Sequence, residues 1–462
     1  MTFTLSDARS LTRKVKGRVI TPSSPGYEEE LSPFNLSVHH TPDLVVAALD
    51  AGDVAAAVQW AAERALPVAV QATGHGATVS YDRGIVISTR HMQELTLDAA
   101  ARTVRLGAGV KWRRVIDASA PCGLAPLSGS SSDVGAVGYT LGGGLPILGR
   151  TFGFASDYLQ SLQIVTADGR LRTVSANSEP DLFFAIRGGK PNLGIVTSMT
   201  IELVPVASIY GGCVFFDGQH AERLFQAYRE WAPTLPSATT SAIKLLRLPP
   251  LPDIPEPLAE KLTVQLVVAH VGDEAEGRHL VEPMRAVAPA IIDDIQQRPY
   301  TEADLLHHDP EHPIPVRETC TLLDDLTPEA VGGIMSVAGP GVQSPLLMLE
   351  LRHLGGMLAR VPQVPDAVGP RDAAYCLFFL GALMPPVADA VPGALTAAVA
   401  EMAPYTTGRT FVNLHGRPFS PEDLARPWNA DTYDRLMRIK RAYDPRNVFG
   451  FAHSASGPMP AA

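Results

Sequence analysis

The tightest constraint on this chain is where its glycines fall, in clusters that follow short apolar runs. Val68-Ala69-Val70-Gln71 reads as a short buried strand, and through Ala72 it runs into Thr73-Gly74-His75-Gly76. A second cluster, Gly138-Tyr139-Thr140-Leu141-Gly142-Gly143-Gly144, follows a stretch from Ser128-Gly129-Ser130-Ser131 to Val134-Gly135 that is too rich in glycine and serine for regular structure. Glycine lacks the Cβ that keeps backbone away from a ligand, so the two clusters read as two sides of one cradle, with ordinary turns as the competing reading. The dinucleotide fingerprint is not met, because Gly74-His75-Gly76-Ala77-Thr78-Val79 lacks its third glycine. Backbone N–H groups from several such turns could still surround a pyrophosphate in another geometry.

Around this cradle the pattern is α+β. Val54, Val58, Ala61, Ala62 and Leu66 form a helical stripe expected to start at an Asp53 cap and to end at Pro67. Residues 84–88 and 102–107 read as strands, and Asp168-Gly169 between apolar and alternating runs predicts a hairpin. Beyond about Val206 helical faces such as Leu224, Phe225, Tyr228 and Trp231 alternate with period-two strands such as Leu262, Val264, Leu266 and Val268. A mainly antiparallel sheet backed by helices is expected there. The expected division is 1–205, 206–405 and a tail of 406–462.

A chain of 462 residues with 46% hydrophobic residues can bury more than one core. Its net charge of −10 argues against nucleic acid as a partner. No apolar run reaches the roughly 18 residues a membrane span needs, and the opening Met1-Thr2-Phe3-Thr4-Leu5-Ser6-Asp7 lacks a secretory pattern, so a cytoplasmic location is expected. The four cysteines, 122, 213, 320 and 376, are far apart and read as buried free thiols.

Few residues stand out as chemistry. His75, flanked by glycines at a strand end, faces whatever the turns enclose. In Leu347-Met348-Leu349-Glu350-Leu351-Arg352 the leucines share one strand face, leaving Glu350 and Arg352 on the other. That pair is either solvent-exposed or a carboxylate base held by an arginine beside substrate. Tyr139 either packs or presents its phenol to a ligand. His307-His308-Asp309-Pro310-Glu311-His312 reads as a solvated loop rather than a metal site.

Taken in order, several motifs resemble the berberine-bridge-enzyme-like FAD oxidases of the vanillyl-alcohol-oxidase-type (PCMH) flavoproteins. They are Gln71-Ala72-Thr73-Gly74-His75-Gly76, Val134-Gly135 to Gly144, Asp181-Leu182-Phe183-Phe184-Ala185-Ile186-Arg187-Gly188-Gly189, Asn192-Leu193-Gly194-Ile195-Val196-Thr197 and Tyr443-Asp444-Pro445-Arg446-Asn447. The resemblance implies a two-part FAD-binding domain and an inserted substrate domain whose sheet roofs the flavin ring. It implies FAD contacts from residues 71–76, from Ser128, Gly129, Ser130, Ser131, Val134, Gly135, Gly138, Tyr139 and 142–144, and from Val196 and Asn447. His75 stands where the family bonds covalently to the flavin. Ser131 stands where many relatives carry a second, cysteinyl link, so one histidyl link is expected.

The implied activity is hydride transfer from a small or medium organic substrate, with molecular oxygen as final acceptor. Glu350 is the first candidate base, with Arg352 tuning it and Tyr139 as a further catalytic candidate. Three departures count against a tyrosinate base: Phe411-Val412-Asn413-Leu414 lacks the family's tyrosine, Phe449-Gly450-Phe451-Ala452-His453-Ser454 lacks its asparagines, and Pro146 replaces a glycine. A redox-silent cyclase or rearrangement catalyst is the alternative, and a simple FAD carrier the third reading.

Overall fold

The computed structural model describes residues 5–190, 193–252, 254–418 and 422–450. The Met1–Thr4 opening, Asn192 and the run from Phe451 to Ser454 therefore lie outside the described residues. The first sheet holds β1 (Arg18–Ile20), β2 (Leu44–Ala47), β3 (Val68–Gln71) and β4 (Ile85–Ser88) in the order β1-β2-β4-β3. β2, β4 and β3 run parallel, and every residue of β2 and β4 is buried, as parallel strands covered on both faces require.

The helix Ala51–Ala62 links β2 to β3 and corrects the expected cap. Asp50 is the N-cap, accepting the Asp53 N–H at 3.0 Å. The Asp53 carboxylate instead turns back to accept the backbone N–H groups of Lys16, Gly17 and Leu49 at 2.6, 3.0 and 2.9 Å. That helix also ends at Ala62, short of Pro67.

The second sheet is antiparallel, with β5 (Leu95–Asp98), β6 (Thr103–Gly107), β7 (Leu159–Thr166), β8 (Leu171–Ser175) and β9 (Gly194–Glu202) in the order β5-β6-β9-β7-β8. β7 and β8 form the expected hairpin, and Gly169 takes φ +73° at its turn.

The third sheet has eight strands: β10 (Ser208–Asp217), β11 (Thr239–Arg247), β12 (Leu262–His270), β13 (Ala290–Asp293), β14 (Gln296–Pro299), β15 (Val316–Leu323), β16 (Met348–His353) and β17 (Tyr375–Ala382). Its path is β13-β10-β12-β11-β16-β17-β15, with β14 also on β10. The strand period of two sorts the side chains. Ile243, Leu245, Val264, Leu266, Leu349, Leu351, Leu377 and Phe379 pack in one core with the helices Ala221–Trp231, Glu274–Arg285, Pro328–Ala338 and Val391–Met402. The opposite face carries Lys244, Glu350, Arg352 and Cys376 toward the rest of the chain.

The C-terminal helix Ala430–Tyr443 returns to the first part of the chain. Arg435 pairs with Asp181 at 2.8 Å, the Tyr443 hydroxyl donates to Glu179 at 2.7 Å, and the Val68 N–H bonds the Val448 carbonyl at 2.8 Å. Three cysteines are buried and free as expected, but Cys122 is exposed in the short 3-10 turn Ala120–Cys122. No helix among the described residues is long and apolar enough to cross a membrane.

Candidate active site

β3 delivers His75 through a turn that glycine makes possible. Gly74 sits at φ +72°, and a Cβ there would lie 2.5 Å from Pro33 Cβ. The chain segment that blocks it is tied to the same turn, with the Phe34 N–H on the Thr73 carbonyl at 2.9 Å and the Asn35 N–H on the Gly74 carbonyl at 3.3 Å. Phe34 stacks on the His75 ring with centroids 3.8 Å apart. His75 Nδ1 lies 2.9 Å from Thr73 Oγ1, while its buried Nε2 has no partner. Burial pushes the imidazole down to about 4, so it is neutral and nucleophilic at physiological pH.

The second wall stands against the first. A Cβ on Gly135 would lie 3.4 Å from Thr73 Oγ1 and 3.9 Å from the Ala72 Cβ. The short helix Ala136–Leu141 follows, and Asn413 closes its end by donating to the Tyr139 carbonyl at 2.8 Å. A side chain at Gly142 would displace Asn413, because a Cβ would sit 2.0 Å from its Oδ1. Tyr139 lies edge-on to Trp112 with centroids 5.7 Å apart, and its buried hydroxyl has no partner. Burial pushes that phenol well above its ordinary range, so it is a poor source of tyrosinate.

Other expected cofactor residues divide clearly. The Gln71 side chain is committed elsewhere, donating to the Leu31 carbonyl at 2.8 Å and meeting His40 at 2.9 Å, and its carbonyl accepts the Thr89 N–H at 2.9 Å. Ser128 is bonded to the Tyr300 hydroxyl at 2.9 Å, Ser130 lies beside Asp309, and Ser131 accepts the Asp133 N–H. The Trp112 N–H bonds the Val134 carbonyl, Val196 is buried in β9, and Gly138 faces open space. Gly143 and Gly144 take φ of +95° and +71°. Asn447, at φ +52° with a buried unpartnered Oδ1, stands near Val68, at the far end of β3 from His75.

Glu350 and Arg352 do share the face opposite the leucines, but not as an exposed pair. Glu350 is fully buried, and Arg352 grips its Oε2 through Nε and Nη2 at 2.8 and 2.7 Å. Lys244, directly across the sheet on β11, lies 3.6 Å from Oε1, and His307 Nδ1 lies 3.3 Å from it. Arg352 and Lys244 hold the carboxyl well below its ordinary range despite burial, which leaves it ionised and weakly basic. The reading of Glu350 as the base is revised accordingly: its environment suits a fixed counter-charge. The expected solvated loop is also corrected, since His307 is buried beside Glu350 and Asp309 reaches Ser130 on the second wall.

Arg352, His307, His353, Thr240 and Ser241 are the polar lining of a cavity whose other walls are apolar, Leu145, Val267 and Leu306 among them. The sequence offered signals for two residues not singled out from it: Lys244 interrupts the apolar run Ala242-Ile243-Lys244-Leu245-Leu246, and Glu318 shares a face with the apolar Cys320 and Leu322. Phe34 carried no signal, because its contact with His75 is made only by the fold.

Comparison with known proteins finds flavoproteins. A family model described as FAD binding domain matches residues 42–175, and one described as berberine and berberine like matches 425–455. A Bacillus subtilis protein, uncharacterized FAD-linked oxidoreductase YgaK, is 27% identical over 459 residues, covering 96% of this chain and 97% of that one. (R)-6-hydroxynicotine oxidase of Paenarthrobacter nicotinovorans is 25% identical over 94% of this chain and 95% of its own. Among solved structures, BBE-like 1 of Physcomitrella patens superposes with a TM-score of 0.84 at 20% identity, covering 98% of this chain and all of that one. The chain is an FAD-dependent oxidoreductase. Its sequence resembles the berberine-bridge-enzyme-like flavoproteins in the two segments 42–175 and 425–455.

Proposed function

We propose that the protein oxidises a small or medium organic molecule, using FAD tethered by one bond to His75 and oxygen as the final acceptor, with hydrogen peroxide as product. The observation that carries this reading is the half-buried, neutral His75 with a buried, unpartnered ring nitrogen, set between two glycine-rich walls. Those walls, residues 71–76 and 128–144, would hold the cofactor with 1–205 and 406–462 as its domain, while 206–405 supplies the substrate side. Bound FAD supplies a two-electron hydride acceptor. Phe34 and Thr73 fix the His75 ring, which keeps it oriented for attachment. Ser131 offers no thiol, so a second link of the cysteinyl kind has no donor at that position.

The mainly apolar cavity, with Arg352, His307, His353, Thr240 and Ser241 as its polar lining, suits a largely apolar substrate bearing hydrogen-bonding groups. Anaerobic mixing with a panel of alcohols, amines and aromatic metabolites tests the reading: a substrate bleaches the flavin, and air restores its colour with release of peroxide. Conversion of a compound with the flavin spectrum unchanged throughout would overturn it in favour of a redox-silent cyclase.

A further inference from the structure

β15 starts at the His75 wall. The Ile314 N–H bonds the Phe34 carbonyl at 3.0 Å, the Val316 N–H bonds Asn35 Oδ1 at 3.2 Å, and Phe34 is the residue stacked on His75. Two residues further on, Glu318 lies on the same strand face as Cys320 and Leu322, which pack on the inner side of the sheet with Phe154 and Phe411. Its carboxyl makes no hydrogen bond or ion pair among the described residues. Two cations flank it without contact. Lys190 comes from the turn after the helix Pro180–Ile186, with its ammonium 3.4 Å from where a Cβ on Gly76 would lie, and Arg352 comes from β16, in the lining of the cavity. Leu380 is opposite on β17, and the Glu318 backbone and Cγ lie against Gly416. Glu318 is thus a free carboxyl between the cofactor wall and the substrate cavity.

We propose that Glu318, rather than Glu350, accepts the proton released from the substrate. This rests on the oxidase reading above. In the step proposed, an O–H or N–H bond of the substrate breaks and its proton goes to the Glu318 carboxylate. The adjacent C–H bond breaks with its electron pair, leaving as hydride to the two-electron acceptor, and the substrate becomes a carbonyl or imine. Two features match the role. Burial pushes Glu318 up to about 7 against the pull of Lys190 and Arg352, which makes it a base matched to neutral pH. Glu350 is already saturated by cations and holds its proton too weakly to compete.

An infrared pH titration of the flavin-loaded protein tests this without any substrate. A protonated-carboxyl band is expected to grow in as pH falls through about 7, to persist in Glu350→Gln, to vanish in Glu318→Gln, and to shift to higher pH in Lys190→Met. Where a panel compound bleaches the flavin, the wild-type rate should rise through the same pH. In Glu318→Gln it should fall by about 100-fold or more and lose that limb, with flavin content unchanged. A wild-type protein without the band, or a Glu318→Gln variant that keeps the rate and its pH limb, overturns the proposal. A flavin that no compound bleaches while the band titrates as expected would instead count against the oxidase reading.

Discussion

Replacing Glu350 by glutamine removes one negative charge at a point where two cations converge. Arg352 loses both of its 2.7–2.8 Å contacts to a carboxylate, and Lys244 loses a counter-charge 3.6 Å away. Lys244 is 1% exposed, so water cannot replace what is lost. Breaking a buried pair by deleting one partner costs about 3–5 kcal/mol, a large share of the 5–15 kcal/mol of a typical fold. Equilibrium urea unfolding with the flavin absorbance and far-ultraviolet dichroism read together is the assay. Replacing all three charges, as Glu350→Gln with Lys244→Met and Arg352→Met, should recover much of the loss, because the cost lies in orphaned charge. The pH dependence has a fixed sign. The folded carboxyl lies below its ordinary 4.5, so its contribution is complete above that value and is lost as pH falls below it. A Glu350→Gln variant within about 1 kcal/mol of wild type, with the same acid sensitivity, would refute the reasoning.

Gly74→Ala should destabilise the protein and lower its flavin content, since φ +72° and Pro33 at 2.5 Å both oppose a side chain; thermal unfolding and the flavin-to-protein absorbance ratio check it. Gly142→Ala should cost about 1–3 kcal/mol by displacing Asn413 from the Tyr139 carbonyl, and Asn413→Gly in the same chain should restore part of it in urea unfolding. Asp444→Ala should cost about 3–5 kcal/mol by the same assay, because this fully buried carboxylate accepts from Lys440 at 2.6 Å and from the Val448 and Phe449 N–H groups at 2.7 and 2.9 Å.

What could be read in advance was whatever local pattern decides. The Asp168-Gly169 hairpin, the buried β3 and the leucine face of β16 follow from turn chemistry and a period of two, which act within a few residues. What could not be read was set by contacts between distant segments. Asp53 resembled a cap until the Lys16-Gly17 backbone was seen to use it, and His307 resembled a loop residue until Glu350, far along the chain, was placed beside it. The choice between Glu350 and Glu318 as proton acceptor is of this kind. Both are glutamates on inner strand faces, and only the cations around each separate their basicities.

The most direct test of the central claim is the intact mass of the purified, acid-denatured protein, followed by mass mapping of the peptide containing His75. A single covalent flavin on that peptide, with a yellow protein pellet and none attached in His75→Ala, is the predicted result. An unmodified His75 peptide from a preparation whose flavin is all released into the supernatant would contradict it.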